Sequence, residues 1–255
     1  MLNKDLGSID NFSFWGLVGS VDFKSHDKET TILEIENDKD VAIEVDKHCC
    51  TIRNSKIEVN NSSFIDIRIN NSRLVIDKKG IHFNSEKMTK DQLEDIKVNI
   101  TITLPKTQLK KVDISSPLLV KATDLGGNVT FDLSSNTKLE LSNIDKVNID
   151  ASGQCEISAI DIPDIYIDCS GQSNIELKNI SKLTTDLSGV SEIYVQNKDI
   201  IQKLVVDCSG ISNFTINSKV DKCELDLSGL SKISFSDKPN HLELEKSGIS
   251  EVTYL

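Results

Sequence analysis

From residue 106 onward, apolar and polar side chains alternate in short runs, and the runs recur. Aligned on an acidic residue, they read DISSPLLV at Asp113, DLSSNTKL at Asp132, DASGQCEI at Asp150 and DCSGQSNI at Asp168. They continue as DLSGVSEI at Asp186, DCSGISNF at Asp207, DLSGLSKI at Asp226 and EKSGISEV at Glu245. Start-to-start spacings are 19, 18, 18, 18, 21, 19 and 19 residues. A near-constant short period is the signature of a solenoid, in which each repeat is one supersecondary unit.

The columns identify the unit. With the acidic residue as position zero, Val129, Val147, Ile165 and Leu183 stand three places before it, and Phe131, Ile149 and Ile167 one before. Leu133, Ala151, Cys169, Leu187, Cys208 and Leu227 stand one after. Apolar residues at every second place describe a strand with one buried face. A small bend follows, with Gly153, Gly171, Gly189, Gly210, Gly229 and Gly248 at position three. Alternation then resumes at positions seven and nine, as at Ile157 and Ala159 or Ile193 and Val195, and a corner column holds Leu125, Ile144, Ile162 and Ile180. A single unit of strand, bend, strand and corner cannot bury its inner face; stacked units can, each strand pairing in parallel with its copy about 4.8 Å away. The expected fold is all-β: a single-stranded parallel β-helix with coils of 18–19 residues over 106–255. The general preference of crossover connections makes it right-handed. The glycines are expected where a side chain would strike the core or need an unfavourable backbone angle.

Residues 1–105 alternate less regularly. TTILEIE, VAIEV, CTIRN, KIEVN, FIDIRIN and RLVIDKKGIHF read as short strands, and KVNITITLP as another closed by Pro105. TKDQLEDI is the one helix candidate, with Thr89 and Gln92 as a capping box. This part is expected to form irregular coils or a β-rich cap over the solenoid's end, which would otherwise offer open strand edges.

Charge narrows the function. Twenty-nine basic against 40 acidic residues give a net charge of −11, which disfavours nucleic acid and docking on anionic lipid. At 38% hydrophobic but 5% aromatic, the core is aliphatic. The one apolar patch near the start, Phe12 to Val18, is too short and polar-flanked for a signal peptide or a membrane span, so no membrane insertion is expected. Read this way the chain is cytosolic, as free cysteines suit, or has lost an export signal.

Reactive side chains are weighed against the repeat. Cys169, Cys208 and Cys223 occupy columns otherwise aliphatic, and Cys155 stands at an inward place, so they read as buried thiols. Cys169 and Cys208 lie two coils apart, about 10 Å and beyond disulfide reach. In the vicinal pair Cys49–Cys50 one thiol faces out, with a redox or metal role open to it. Ser134, Ser152, Ser170, Ser188, Ser209, Ser228 and Ser247 are equivalent, and His26, His48, His82 and His241 keep no fixed place, so no nucleophile with its base is singled out. In register, Asp132, Asp150, Asp168, Asp186, Asp207 and Asp226, flanked by Asp113 and Glu245, form a line of like charges. Either each carboxylate accepts an N–H of the Ser-Gly bend as an Asx-type turn, or the row holds cations such as calcium. No other cofactor is indicated.

The repeated DLSGVSEI, DCSGQSNI and DLSGLSKI resemble the motif of the auto-transporter adhesin head family, the GIN domain, over about Lys97 to Leu255. SDKPNHLELEKSGISEV is similar to that family's ending through Pro239, Ser247, Gly248 and Ser250, and ITITLPKTQLKKVDISS to the strand-Leu-Pro entry of related bacterial solenoids. The resemblance implies a bacterial protein exported to the envelope and brings no catalytic residues. The chain departs from it in lacking an export signal and in the fifth motif residue, Gln, Val, Ile or Leu where the family has Ala. That departure makes Val190, Ile211, Leu230 and Ile249 a candidate apolar contact ridge. The expected function is a non-enzymatic, adhesin-like binding module of the cell envelope, with a glycan or protein partner. Alternatives are a self-assembling scaffold with the logic of bactofilin filaments, or a carbohydrate-active β-helix enzyme.

Overall fold

A computed structural model of the 255-residue chain describes residues 1–55 except 28 and 39, the backbone of 65–69, 72–77 and 80–83, and residues 97–255. The helix candidate around Thr89 lies outside the described residues. The strands of the first part are β1 (Leu2–Gly7), β2 (Asn11–Trp15), β3 (Gly19–His26), β4 (Thr31–Glu36), β5 (Val41–Asp46), β6 (Cys49–Asn54), β7 (Ile65–Ile69), β8 (Ser72–Asp77), β9 (Gly80–Phe83) and β10 (Val98–Pro105). Then come β11 (Lys111–Ser115), β12 (Leu118–Thr123), β13 (Asn128–Leu133), β14 (Thr137–Ser142), β15 (Lys146–Ala151), β16 (Gln154–Ile160), β17 (Asp164–Cys169) and β18 (Gln172–Lys178). The last are β19 (Lys182–Leu187), β20 (Val190–Gln196), β21 (Ile201–Cys208), β22 (Ile211–Asn217), β23 (Val220–Leu227), β24 (Lys232–Phe235), β25 (His241–Lys246) and β26 (Glu251–Tyr254).

From β11 onward each coil contributes one strand to each of two parallel sheets. Odd-numbered strands β11 to β25 stack in one sheet and even-numbered strands β12 to β26 in the other. This is the parallel β-solenoid the alternation predicts. The inward columns are almost wholly closed to solvent: Val147, Ile149 and Ala151 on one sheet and Ile157 and Ala159 on the other are at most 1% exposed. The corner residues Leu125, Ile144, Ile162 and Ile180 are also buried. Each Val, Leu or Ile among them contributes roughly 1.5–3 kcal/mol of burial, so the core draws its strength from repetition of small terms.

Residues 9–26 form a coil that the motif search does not reveal. β2 pairs in parallel with β11, Ser13 opposite Asp113 and Phe14 opposite Ile114, and β3 pairs with β12. This coil stacks directly on the first repeat although about 100 residues separate the partners in the chain. Phe12, Phe14 and Phe23 meet inside it, with ring centroids 5.5 Å (Phe12–Phe23) and 6.1 Å (Phe14–Phe23) apart. Beyond it, β6 and β10 continue the two sheets in parallel. The edges on that side are then closed by antiparallel strands, β5 on β6 and β4 then β1 on β10. Strands β7, β8 and β9 form a separate antiparallel sheet.

The corner after the second strand takes a left-handed backbone in four successive coils, after β12, β14, β16 and β18. Asp124, Asn143, Asp161 and Asn179 hold it at φ 57°, 53°, 57° and 54°. Asn and Asp tolerate that conformation best among residues with a side chain. They also link coils: Asn143 Nδ2 donates to Asp124 Oδ1 at 3.0 Å and Asn179 Nδ2 to Asp161 Oδ1 at 2.8 Å.

Candidate functional site

The acidic residues do stack in register. Asp113, Asp132, Asp150, Asp168, Asp186, Asp207, Asp226 and Glu245 are successive Cα partners across β11 to β25. They sit on outward places of strands, not in the bend. Among the described residues, Lys111 bridges the first two, 3.0 Å from Asp113 and 2.7 Å from Asp132. Those hydrogen bonds, Asp132 first, push the Lys111 ammonium above its ordinary range. Desolvation, and then repulsion between neighbouring carboxylates, raise Asp168 and Asp207 above the usual carboxylate range.

The Asx-turn expectation is overturned. Among the described residues none of Asp150, Asp168, Asp186, Asp207 or Asp226 accepts a hydrogen bond from the bend, and the serine N–H that an Asx turn would use is committed between coils. Ser170 N donates to Ala151 O at 3.0 Å, Ser188 N to Cys169 O at 3.0 Å and Ser209 N to Leu187 O at 2.9 Å. Val190 N and Ile211 N likewise donate to Gly171 O and Gly189 O at 3.0 Å each. Among the described residues no three or more His, Cys, Asp or Glu side chains converge as a set able to hold a metal ion. A straight row brings only nearest neighbours together, whereas calcium gathers six to eight oxygens.

The bend meets one half of the sequence expectation for the glycines, the backbone angle, and replaces the other, the clash with the core. A Cβ on Gly189 would lie 1.9 Å from Gly171 O, and one on Gly210 would lie 2.0 Å from Gly189 O. The obstacle is the backbone of the preceding coil's bend rather than the core. Gly229 and Gly248 add positive φ, 74° and 68°.

Just past the bend, the outward row at position four holds Asn136, Gln154, Gln172, Val190, Ile211, Leu230 and Ile249. The structure aligns this row as the sequence suggests: Gln154 opposite Gln172, Gln172 opposite Val190, and Val190 opposite Ile211. Val190, Ile211 and Leu230 are 48–50% exposed and Ile249 79%. Beside this ridge runs a trough of about 670 Å³ crossing five coils, walled on its other side by Lys138, Glu156, Asn174, Glu192 and Asn213. A second hollow of about 470 Å³ lies between Leu230, Lys232, Lys246 and Ile249. The trough was not read from the sequence, although its two walls are visible there as the outward columns at positions four and six.

Inside, the thiols fill space. Burial, its largest cause in each case, pushes Cys50, Cys208 and Cys223 up to about 12 and Cys169 up to about 11. Cys49 is half-buried, Cys50 is buried, and neither is bonded to the other. Below the trough, Cys155 Sγ donates to Ser135 O at 3.7 Å, and Thr137 and Ser231 hydroxyls donate to Ser116 O and Gly210 O at 3.4 Å each. At those three coils a small inward donor thus ties one bend to the next from inside, whereas the Ser173, Ser191 and Ser212 hydroxyls in the same column are buried without a hydrogen-bond partner among the described residues.

No protein-family model and no curated protein matches the sequence. Solved structures do match. One, described as a "putative adhesin from Parabacteroides distasonis ATCC 8503", aligns with 100% of this chain and 96% of its own at 12% identity and a TM-score of 0.41. Another, a "putative cell adhesion protein from Clostridium sporogenes ATCC 15579", aligns with 99% and 97% at 10% identity and a TM-score of 0.26.

Proposed function

We propose that the chain is a non-enzymatic, adhesin-like β-solenoid module of the bacterial cell envelope, and that it holds its partner along the outer side of the bend. The observation that carries this reading is the concentration of unspent contact chemistry there. A continuous apolar ridge faces solvent beside a trough whose Asn136, Asn174 and Asn213 side chains make no hydrogen bond within the described residues. Rigid parallel coils hold these groups at fixed spacing, which keeps the ordering cost of binding low. The absence of catalysis in this reading follows from the repeat: its serines occupy equivalent places in every coil, and no one of them is distinguished by a base. The envelope assignment follows the motif resemblance over Lys97 to Leu255. The test is a glycan array together with a pull-down from isolated envelopes, using the full chain; an empty result from both would overturn the reading.

A second reading, end-to-end assembly, is favoured by one observation. β25 and β26 are outermost strands of their sheets, and Leu244 and Tyr254 on them are 40% and 47% exposed. Such edges pair readily with another strand. Light scattering over a wide concentration range decides: a constant monomer mass sinks it.

A further inference from the structure

The trough is built to a rule that neither the core nor the bend requires. Its outer wall alternates along the solenoid axis: Glu156, Asn174, Glu192 and Asn213 place an acid and an amide on successive coils. Its inner wall begins with three amides, Asn136, Gln154 and Gln172, the last two joined by a 2.8 Å hydrogen bond from Gln154 Nε2 to Gln172 Oε1. That bond leaves the Gln172 NH₂ and the Gln154 carbonyl with unspent capacity toward the trough. The inner wall then becomes aliphatic at Val190 and Ile211. A polar stretch and an apolar step therefore lie end to end in one channel of ligand-sized volume.

Three properties of this channel select a ligand class. Its recognition groups are mainly uncharged amides, which both donate to and accept from hydroxyls. Its charges nearly cancel: Lys138 pairs with Glu156 at 3.0 Å, leaving Glu192 as the unpaired charge on a protein of net −11, so polyanions are repelled. Its pattern repeats every second coil, about 10 Å at the strand spacing. A linear polymer whose successive units turn opposite edges to the outer wall meets the same outer-wall residue type at that interval. Pyranose rings joined in an extended chain are about one strand spacing long and do this. Their C–H faces suit the Val190 and Ile211 step, and their hydroxyls suit the amides.

We propose that the trough binds an extended, uncharged polysaccharide lying along the solenoid axis, with one sugar ring per coil. The proposal rests on the binding-module reading above and gives its site a ligand.

The experiment is native affinity electrophoresis of the full chain in gels containing soluble β-glucan, galactomannan or arabinoxylan, with polygalacturonate and chitosan as charged counterparts. At least one neutral polymer should retard the protein. The Gln172→Ala/Asn174→Ala variant should bind that polymer at least tenfold more weakly, with an unchanged melting temperature. Lys203→Ala, on the other sheet, should bind as the parent does. Oligosaccharides of the retarding polymer should compete more strongly with each added ring and level off near five, the number of coils the trough crosses. The proposal is overturned if no neutral polymer retards the chain, if only the charged polymers do, or if the double variant binds undiminished. A protein partner captured from envelopes together with these negative results would leave the binding-module reading standing and remove only the polysaccharide.

Discussion

The line of acids makes a quantitative demand. Asp168 lies between Asp150 and Asp186 and makes no hydrogen bond or ion pair among the described residues. Two carboxylates about one strand spacing apart repel by about 1 kcal/mol in water and about 3 kcal/mol at an effective dielectric of 20. Asp168 is only partly covered, so screening pulls each pair toward the lower figure, and its two neighbours together cost about 1–2 kcal/mol. Asp168→Asn keeps the shape and removes the charge. It should raise the melting temperature at pH 7 and low salt by about 2–8 °C, taking about 2–4 °C per kcal/mol for a chain of this size. In molar salt, where the screening length falls to about 3 Å, the gain should largely vanish. The sign with pH follows from the raised folded-state pKa of Asp168. A carboxyl that keeps its proton to higher pH when folded favours folding fully below its unfolded pKa, and that contribution is lost as pH rises through the folded value. The variant's advantage should therefore disappear as pH is lowered toward about 4. Scanning calorimetry of both proteins across pH and salt checks this. Asp168→Ala, which also removes the acceptor, should keep most of the gain. A loss of about 1 kcal/mol in Asp168→Ala would show a capping role and refute the argument, as would a gain in Asp168→Asn that ignores salt.

Other consequences are as direct. Gly189→Ala puts a methyl against a carbonyl that cannot retreat without separating coils, and should cost about 3 kcal/mol or more in urea denaturation. Phe14→Ala, in the cluster that seats residues 9–26 on the first repeat, should cost about 3–5 kcal/mol by the same measurement. Asn179→Val loses both the left-handed tolerance and the bond to Asp161, and should cost about 2 kcal/mol, whereas Asn179→Gly should cost less. In the native protein a thiol reagent at pH 8 should titrate Cys49 alone, and the five buried thiols only after denaturant is added.

The solenoid was legible because its inward columns repeat within one strand of the chain. Period-two alternation at Val147, Ile149 and Ala151 needs only local reading, and the recurrence every 18 or 19 residues supplies the pairing register. The first coil was not legible, because Phe12 and Phe14 carry no acidic mark between them: Ser13 stands where the repeat has Asp. Its partner is also remote in the chain, and alternation states which face is buried without stating against what. The bend misled in one respect. A column of Asp before Ser-Gly matches a turn motif in isolation, but stacking commits the bend's N–H groups to the coil below, which a single repeat cannot disclose. The trough was hidden for a related reason. Asn174 or Gln154 on an exposed strand face reads as ordinary surface until the stacked coils align five such places beside a bend.

These two kinds of column constrain the chain differently. An inward residue faces close-packed neighbours above and below, so the column of Ile114, Leu133, Ala151, Cys169, Leu187, Cys208 and Leu227 stays apolar, and the bend admits only the smallest residues where a carbonyl lies about 2 Å from any Cβ. An outward residue at position four or six meets only solvent and its two stacked neighbours, and there the chain varies from Gln to Val to Ile to Leu without disturbing the register. The corner is equally permissive: the coil beginning at Asp186 takes a 21-residue spacing, and β20 and β22 still pair residue for residue. Stability thus resides in columns confined to apolar or small residues and contact chemistry in rows that are not so confined. A solenoid of this kind can therefore alter what its bend recognises coil by coil while its fold stays fixed, and the passage from the amides at Gln154 and Gln172 to the aliphatic ridge at Val190 and Ile211 is such a change written within one molecule.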